Sequence, residues 1–380
     1  MSSSPPVSQE AVLQALSNIQ DPDLGKDIVS LGFVKDLSIE GNRVSFTIEL
    51  TTPACPVKES FREQAESLVG AIPGVESVQV EMSANVAAAN PFDNQNAVQG
   101  VKNIIAVSSG KGGVGKSTVA VNLACALHQL GAKVGILDAD VYGPNVPLMM
   151  GLQGNPKMVE KKIIPLNARG IQVMSMAFLV AEDQPVIWRG PMLHSAMRQF
   201  LHEVLWGDLD YLIVDLPPGT GDAQLSLAQH THLMGAVIVT TPQEVSVLDV
   251  RKAIGMFQQV SVPVLGIVEN MAGLVLRGSY EGNLSKLCAD GPEGKVEAQL
   301  SDGRFELHLD LFGKGGGDKI AEAYDLPILG RVPLDPALRA GGDQGSPVTL
   351  DQPDSPVAQK FIEVAGALAA KVSTANLASS

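Results

Sequence analysis

The residues best suited to chemistry lie in one glycine-rich run, GKGGVGKST, which matches the G-x-x-x-x-G-K-[ST] pattern of phosphate-binding loops. Its glycines let backbone N–H groups turn towards phosphate oxygens, and the N-terminus of the following helix favours an anion. Lys116 is placed to reach the β- and γ-phosphates, and the Ser117 hydroxyl to bind Mg²⁺. The predicted nucleotide-binding residues of this run are Gly110, Lys111, Gly112, Gly113, Val114, Gly115, Lys116, Ser117 and Thr118.

A second lysine, Lys111, directly follows the first glycine of the run. A cation beside Lys116 is costly unless a phosphate neutralises both charges, so both lysines are predicted to face the same anion. The alternative is a solvated surface lysine.

Three carboxylates follow apolar runs that have the character of strands. Asp215 ends YLIVD, the position from which a parallel sheet presents a carboxylate to Mg²⁺ and its water shell. Asp140, in LDADVYGPN, is predicted to position or deprotonate the attacking water. For Asp138, capping of a helix or turn is the simpler interpretation. The predicted catalytic residues are Lys111, Lys116, Asp140 and Asp215, with Ser117 and Asp215 as the Mg²⁺ site.

The chain has only three cysteines, widely spaced, which indicates neither a disulfide framework nor a self-sufficient metal site. Cys55 precedes a predicted helix, whose dipole favours a thiolate. A transient ligand or redox role and simple packing are both open for this residue. Cys125 is predicted to be a small core residue, and Cys288 lies in a glycine-rich region. His194 and His202 are eight residues apart without a clear third ligand, so no metal site is predicted there.

The elements that must position these residues follow from alternating patterns. From residue 104 onward, short apolar runs alternate with helical periodicity, which predicts an α/β P-loop NTPase fold: a mostly parallel sheet flanked by helices. The predicted strands cover 104–107, 134–137, 171–174, 212–214, 236–239, 264–268 and 328–329.

The N-terminal part has a different pattern, helix–strand–strand–helix–strand, with a hairpin turn at 40–42. It predicts a small α+β domain that precedes the sheet. The predicted organisation is a small domain at 1–82, a linker at 83–100, a P-loop ATPase domain at 101–372 with an insertion at about 273–313, and a flexible tail at 373–380.

The overall charge limits the classes of partner. The formal net charge of -14 disfavours an electrostatic hold on nucleic acid or an anionic membrane. No apolar run is long enough to span a bilayer, and the first residues lack the pattern of a signal peptide. The sequence predicts a cytoplasmic protein that binds neither nucleic acid nor membrane.

Taken in order, GKGGVGKST, LDADVYGPN, VDLPPGTGD, ENM, FGKGGG and PLDPALR resemble the Mrp/ApbC family of ATP-dependent iron–sulfur cluster carriers. DPDLGKDIVSLGFVKD and LTTPACPVKE resemble the PaaD-like domain found at the N-terminus of many bacterial members. The resemblance covers nearly the whole chain.

The resemblance implies a homodimer that hydrolyses ATP to load, carry or transfer clusters between scaffold proteins and apo iron–sulfur proteins. It implies that Lys111 reaches the partner's nucleotide, that Asn270 contacts adenine, and that Pro333 and the residues after it line the base or ribose pocket. ATP, Mg²⁺ and an iron–sulfur cluster, [4Fe–4S] in type, are the implied ligands.

The chain departs from the family where many members carry a C-x-x-C pair after ENM, because here the sequence runs ENMAGLVLRGSYEGN. A [4Fe–4S] cluster is usually held by four thiolates, so cluster ligation falls to Cys288, Cys55 or non-cysteine groups.

Two alternatives remain at this point. One is a partition or positioning ATPase, like ParA or MinD, which would need a basic surface or helix. The other is an electron donor resembling nitrogenase reductase, which the absence of cysteine from DLPPGTGDAQ disfavours.

Overall fold

The protein is described by a computed structural model covering residues 7–89, 97–179, 190–291 and 294–379. The chain divides into two compact units, one of Met1–Ala87 with Ala369–Ser380 and the other of Ala88–Leu368. Each is considered by itself.

The first unit is a small α+β fold, as predicted. In the three-stranded sheet, β3 and β4 are antiparallel while β4 and β5 are parallel. The predicted hairpin turn is present, with Glu40 opposite Arg43. Alternate residues of β4, such as Phe46 and Ile48, are buried against Phe61 of α2, as a half-buried strand requires. The elements are α1 (Gln9–Leu16), β1 (Gln20–Asp21), β2 (Lys26–Asp27), β3 (Val34–Glu40), β4 (Arg43–Leu50), α2 (Lys58–Gly70) and β5 (Ser77–Ala84).

The second unit is built on a ten-stranded sheet in the order β10-β11-β7-β12-β6-β13-β14-β18-β17, with β19 also paired to β14. The pairs joining β11, β7, β12, β6, β13, β14 and β19 are parallel, and β10, β17 and β18 pair antiparallel. Every strand predicted from the apolar runs lies inside one of these parallel strands, so the predicted fold class is confirmed.

The elements of the sheet region are β6 (Val101–Ser109), α3 (Lys116–Gln129), β7 (Val134–Asp138), α4 (Val146–Met149), β8 (Lys157–Val159), β9 (Lys162–Ile164), β10 (Leu166–Ala168), β11 (Ile171–Ser175), a 3₁₀ turn (Met176–Leu179), α5 (Gly190–His202), β12 (Leu209–Asp215), α6 (Asp222–His230), β13 (Gly235–Thr240), α7 (Glu244–Gln259), β14 (Val264–Ser279), β15 (Cys288–Gly291), β16 (Gly294–Glu297), β17 (Gln299–Ser301), β18 (Arg304–Leu309), α8 (Gly316–Tyr324), β19 (Ile328–Leu334), α9 (Pro336–Gln344), α10 (Val348–Asp351) and α11 (Pro356–Ser379).

In the region predicted as an insertion, about 273–313, β14, β17 and β18 extend the sheet with antiparallel pairs, and β15 and β16 form a separate antiparallel pair. β14 shifts register between Asn270 and Leu274 and then continues to Ser279 against β18. Strands β17 and β18 form a hairpin around Gly303. After the ENM residues β14 therefore pairs antiparallel with β18, while Leu274 still pairs with Leu334 of β19.

The C-terminal end differs from the prediction of a flexible tail at 373–380. Residues 373–379 continue α11, and Ser373 and Asn376 are buried. The Asn376 side-chain amide donates to the Ala87 carbonyl at 3.0 Å. Small residues that look like a frayed end can pack closely along a helix, so composition gave the wrong interpretation.

The predicted boundaries also shift. Residues 369–372 belong to the first unit, not to the ATPase unit. Ser83 and Ala84, placed in the linker, are the last residues of β5. Residues 90–96 of the predicted linker lie outside the described residues.

Candidate nucleotide-binding site

The phosphate-binding loop lies where the sequence predicts, between the end of β6 at Ser109 and the start of α3 at Lys116. Gly115 has a φ of 79° and forms the N-cap of α3. A Cβ at this position would lie 2.2 Å from the Asn270 amide nitrogen, so both the backbone conformation and the space require glycine. At Gly110, a Cβ would lie 2.3 Å from the Asp249 backbone. These two glycines let the loop pack against β14 and α7.

Lys116 is at the centre of a buried ion cluster. Its Nζ lies 2.6 Å from Asp215 Oδ1 and 3.5 Å from Asp140 Oδ2, and the side chain is 6% exposed. Ser117 Oγ is 3.3 Å from the same Nζ. The structure thus brings four of the predicted site residues together at the carboxyl edge of the parallel strands.

Asp215 and Asp138 end the adjacent strands β12 and β7 and lie opposite each other in register. Burial raises the pKa of Asp215, while the Lys116 ammonium acts in the opposite direction. Burial, together with the charge of Asp215, raises the pKa of Asp138 to about 8. Two carboxylates are therefore held in a site that strongly favours a cation or a proton.

Asp138 and Asp140 shape the chain that follows β7. Asp138 Oδ2 accepts from Ser175 Oγ at 2.9 Å and from the Val146 N–H, at the start of α4, at 3.2 Å. Asp140 Oδ1 accepts from the Tyr142 N–H at 3.0 Å. This leaves Asp140 Oδ2 on the Lys116 side, whereas Asp138 has the capping role that the sequence favoured.

The donor set fits Mg²⁺ with a nucleotide. Asp215 Oδ2 is buried and has no hydrogen-bond partner among the described residues. Mg²⁺ takes oxygen ligands and is bound in NTPases through one or two carboxylates plus phosphates. Lys116, the ion-pair partner of Asp215, borders a cavity of about 310 Å³. This cavity is lined by Ser109, Lys111, Gly112, Gly113, Gly115, Lys116, Ser117, Thr118, Asp140, Gly143, Asn145, Met149 and Pro218.

A second cavity, of about 390 Å³, contains both residues predicted for the base pocket, Asn270 and Pro333. It shares Gly115, Thr118, Asn145 and Met149 with the phosphate cavity. The Asn270 amide donates to the Val114 carbonyl at 2.8 Å, so it also fixes the phosphate loop. Sequence reasoning missed Asn145, which is the last residue of the LDADVYGPN motif, and Met149, which lies four residues after it.

Lys111 is half-buried and lines the phosphate cavity. Its Nζ lies 3.3 Å from Oε1 of Gln243, a residue the sequence did not indicate. Gln243 follows β13 at the carboxyl edge of the sheet, and this position is the signal from which it could have been found.

Gln224, also missed, fixes the loop after Asp215. It is 1% exposed, and its Nε2 donates to the carbonyls of Pro217 at 2.8 Å and Gly219 at 2.9 Å. Its Oε1 accepts from the Gly221 N–H at 3.0 Å. One side chain therefore holds three backbone groups of the VDLPPGTGD segment.

None of the three cysteines takes part in the ion cluster. The prediction of a stabilised thiolate at Cys55 is wrong, because burial raises the pKa of this thiol and Asp21 and Asp23 add to the rise. Cys125 is a core residue, as predicted, and burial raises its pKa to about 12. Cys288 is exposed and begins strand β15.

Among the described residues, no group of three or more Cys, His, Asp or Glu side chains is arranged to hold a metal ion. His194 and His202 lie on α5, where His194 Nε2 is 2.6 Å from His230 Nε2. No helix in the described part of the chain has the length and apolar character to span a membrane.

A phosphate loop between a parallel strand and a helix, with a lysine paired to a strand-end aspartate, defines a P-loop NTPase. Two family models agree: the one described as NUBPL iron-transfer P-loop NTPase matches residues 100–287 and 302–369, and the one described as iron-sulfur cluster assembly protein matches 9–82. The first match omits the segment 288–301, which begins with Cys288.

Relatives match over nearly the full length. An iron-sulfur cluster carrier protein of Synechocystis is 50% identical, and the match covers 98% of this chain and 99% of the relative. A chloroplastic Fe-S cluster assembly factor of Arabidopsis thaliana is 44% identical over 93% of this chain and 62% of its own length. The chain belongs to the iron–sulfur cluster carrier family of P-loop NTPases, as the sequence motifs indicated.

A solved structure also resembles the chain. A nucleotide-binding protein of Archaeoglobus fulgidus in complex with ADP is 36% identical, with a TM-score of 0.53, covering 70% of this chain and 93% of its own.

Proposed function

We propose that this protein binds and hydrolyses Mg²⁺-ATP in order to load, carry or transfer iron–sulfur clusters to apo-proteins. The observation that carries the ATPase part is the buried cluster of Lys116 with Asp215 and Asp140 beside the phosphate loop. Family membership supports the cargo.

In this proposal Lys116 exchanges Asp215 for the β- and γ-phosphates, and Asp215 and Ser117 hold Mg²⁺. When bound, Mg²⁺ supplies charge neutralisation at the phosphates. Asp140 accepts a proton from the attacking water through Oδ2, because Tyr142 holds its other oxygen. Asn270 and Pro333 contact the base, since both line the cavity next to Thr118.

The active form is a homodimer in which Lys111 reaches the partner's nucleotide. The position of Lys111 supports this assignment, because Lys111 lines the phosphate cavity and contacts the neutral amide of Gln243. It forms no ion pair with any residue that the structure describes.

The cluster is cargo, proposed to be of the [4Fe–4S] type. Cys288 is the more suitable protein ligand because it is exposed, whereas burial disfavours the Cys55 thiolate. Two subunits supply only two Cys288 thiolates, so the remaining coordination must come from other groups. The protein receives clusters from scaffold proteins and delivers them to apo iron–sulfur proteins. Its proposed location is the cytoplasm.

A partition or positioning function is not favoured. Such ATPases need a basic helix or patch, whereas this chain has a net charge of -14 and its full-length matches are cluster carriers.

Anaerobic reconstitution of the wild type and of Cys288→Ser, Cys55→Ser and Cys125→Ser, followed by absorption and iron counting, tests the cargo. We expect Cys288→Ser to lose cluster, and the buried Cys125→Ser to keep it. A wild type without bound cluster would refute the carrier part and leave the ATPase part intact.

A further inference from the structure

Gln243 occupies an unusual place for its residue type. It is the N-cap of α7, where short polar side chains are preferred because they can bond the first N–H groups of the helix. Gln243 makes no such bond, although its backbone carbonyl accepts from the Ser246 N–H at 3.0 Å. The cap is fixed through the backbone, and the side chain extends instead to Lys111.

The Lys111 ammonium has this neutral amide oxygen as its acceptor. Its backbone is fixed separately, because the Ser109 hydroxyl donates to the Lys111 carbonyl at 2.9 Å. Within the described ranges Lys111 forms no ion pair, and the adjacent carboxylate of Glu244 is paired with Lys319. An amide, and not a carboxylate, therefore meets the lysine.

The strength of this contact suits a bond that must break. A hydrogen bond of 3.3 Å to a neutral acceptor is slightly longer than the normal range. A carboxylate at the same place would add an ion pair to the hydrogen bond and hold the ammonium more strongly. The amide holds Lys111 in position and still lets a phosphate displace it.

We infer that Gln243 is a positioning residue that retains Lys111 at its own subunit's phosphate site and releases it to the nucleotide of a second copy. The inference rests on the proposed function, in which Lys111 acts on the partner's nucleotide.

Two substitutions distinguish retention of Lys111 by Gln243 from a purely structural role of Gln243. Gln243→Glu keeps the size and adds a charge, whereas Gln243→Met keeps the length and removes the acceptor. We expect ATP hydrolysis to slow about five- to tenfold in Gln243→Glu, because the lysine is held as an ion pair, and to rise about twofold in Gln243→Met. A merely structural role for Gln243 would slow both variants.

The contact itself is measured in the nucleotide-free protein by acetylating lysines and following Lys111 by mass spectrometry. Labelling of Lys111 should be slowest in Gln243→Glu and fastest in Gln243→Met. In a Lys111→Ala background, Gln243→Glu should cause no further loss of hydrolysis, since its target is gone.

Equal labelling of Lys111 in the three proteins, or an additive loss in the double variant, would overturn the inference. Labelling in the expected order together with a wild-type rate in Lys111→Ala would support the contact and refute the proposed role of the lysine. The two failures are therefore distinguishable.

Discussion

Lys116 Nζ and Asp215 Oδ1 lie 2.6 Å apart in a site where both side chains are almost completely buried. In the proposed function Lys116 binds the phosphates and Asp215 binds Mg²⁺, whereas in this structure the two side chains neutralise each other. Binding of Mg²⁺-ATP would replace this ion pair. The same two residues therefore contribute both to the stability of the nucleotide-free protein and to nucleotide binding.

Removing Lys116 should destabilise the nucleotide-free protein as well as abolish ATP binding or hydrolysis. In Lys116→Ala the Asp215 and Asp140 carboxylates lose their shared cation, and breaking a buried pair costs about 3–5 kcal/mol. Urea unfolding at pH 7 measures this loss in the free energy of unfolding. The difference between wild type and Lys116→Ala should shrink at lower pH, because the unpaired carboxylates of the variant take up protons.

Lys111→Ala is the matched control, because it removes the same charge from the same loop but breaks no ion pair with the described carboxylates. Its free energy of unfolding should stay within about 1 kcal/mol of the wild type. Hydrolysis should fall more than ATP binding. Equal loss of stability in the two variants would contradict a special role for the buried pair.

Two loop glycines with the same backbone conformation should respond differently to alanine. Gly113 and Gly115 have φ values of 80° and 79°. Nothing lies within 4 Å of a Cβ at Gly113, whereas one at Gly115 meets Asn270. Gly113→Ala should cost about 1–2 kcal/mol of backbone strain, and Gly115→Ala clearly more. The free energies of unfolding of the two nucleotide-free variants measure these costs. Similar losses would show that the Asn270 side chain can move away from a Cβ at Gly115 without cost.

The raised pKa of Asp138 predicts a pH dependence of stability. The folded protein keeps a proton that an unfolded aspartic acid releases near pH 4, so stability falls as pH rises from about 4 to about 8. One proton corresponds to at most about 1.4 kcal/mol per pH unit. Asp138→Asn, neutral throughout, should flatten this decline in nucleotide-free protein. Asp208→Asn, at an exposed position, should retain the wild-type slope; the same flattening there would refute the assignment.

Gln224→Leu should slow hydrolysis more than it weakens ATP binding. The substitution leaves three backbone groups of the loop after Asp215 without their partner, so the carboxyl edge is less well ordered for the reaction. A loss of about 1–3 kcal/mol corresponds to a kcat that is lower by about five- to 150-fold. Gln199→Leu on α5 is the control and should behave as wild type, because among the described residues the Gln199 amide donates to Glu203 alone. A raised KM with unchanged kcat would contradict this role.

How far the sequence predicts this molecule depends on how local each signal is. The phosphate loop and Asp215 are recognisable because a strand, a glycine run and a helix follow one another directly. Contacts across the carboxyl edge of the sheet have no local sequence pattern. Gln243 is 132 residues from Lys111, and only the fold brings the two side chains together.

Two of the wrong predictions, the Cys55 thiolate and the flexible tail, have clear physical reasons. Cys55 precedes a helix, but its burial and the nearby Asp21 and Asp23 outweigh the dipole. Residues 373–379 are small and polar, yet Asn376 finds a backbone acceptor and Ser373 is buried. Burial depends on distant parts of the chain, which periodicity and composition do not reveal.

The most direct test of the account is cluster transfer from the reconstituted protein to an apo iron–sulfur protein, followed anaerobically with and without Mg²⁺-ATP. The account predicts that the wild type transfers cluster at a rate that responds to ATP, whereas Lys116→Ala loses that response. Transfer at the same rate with and without ATP in both proteins would contradict the link between the phosphate loop and cluster delivery.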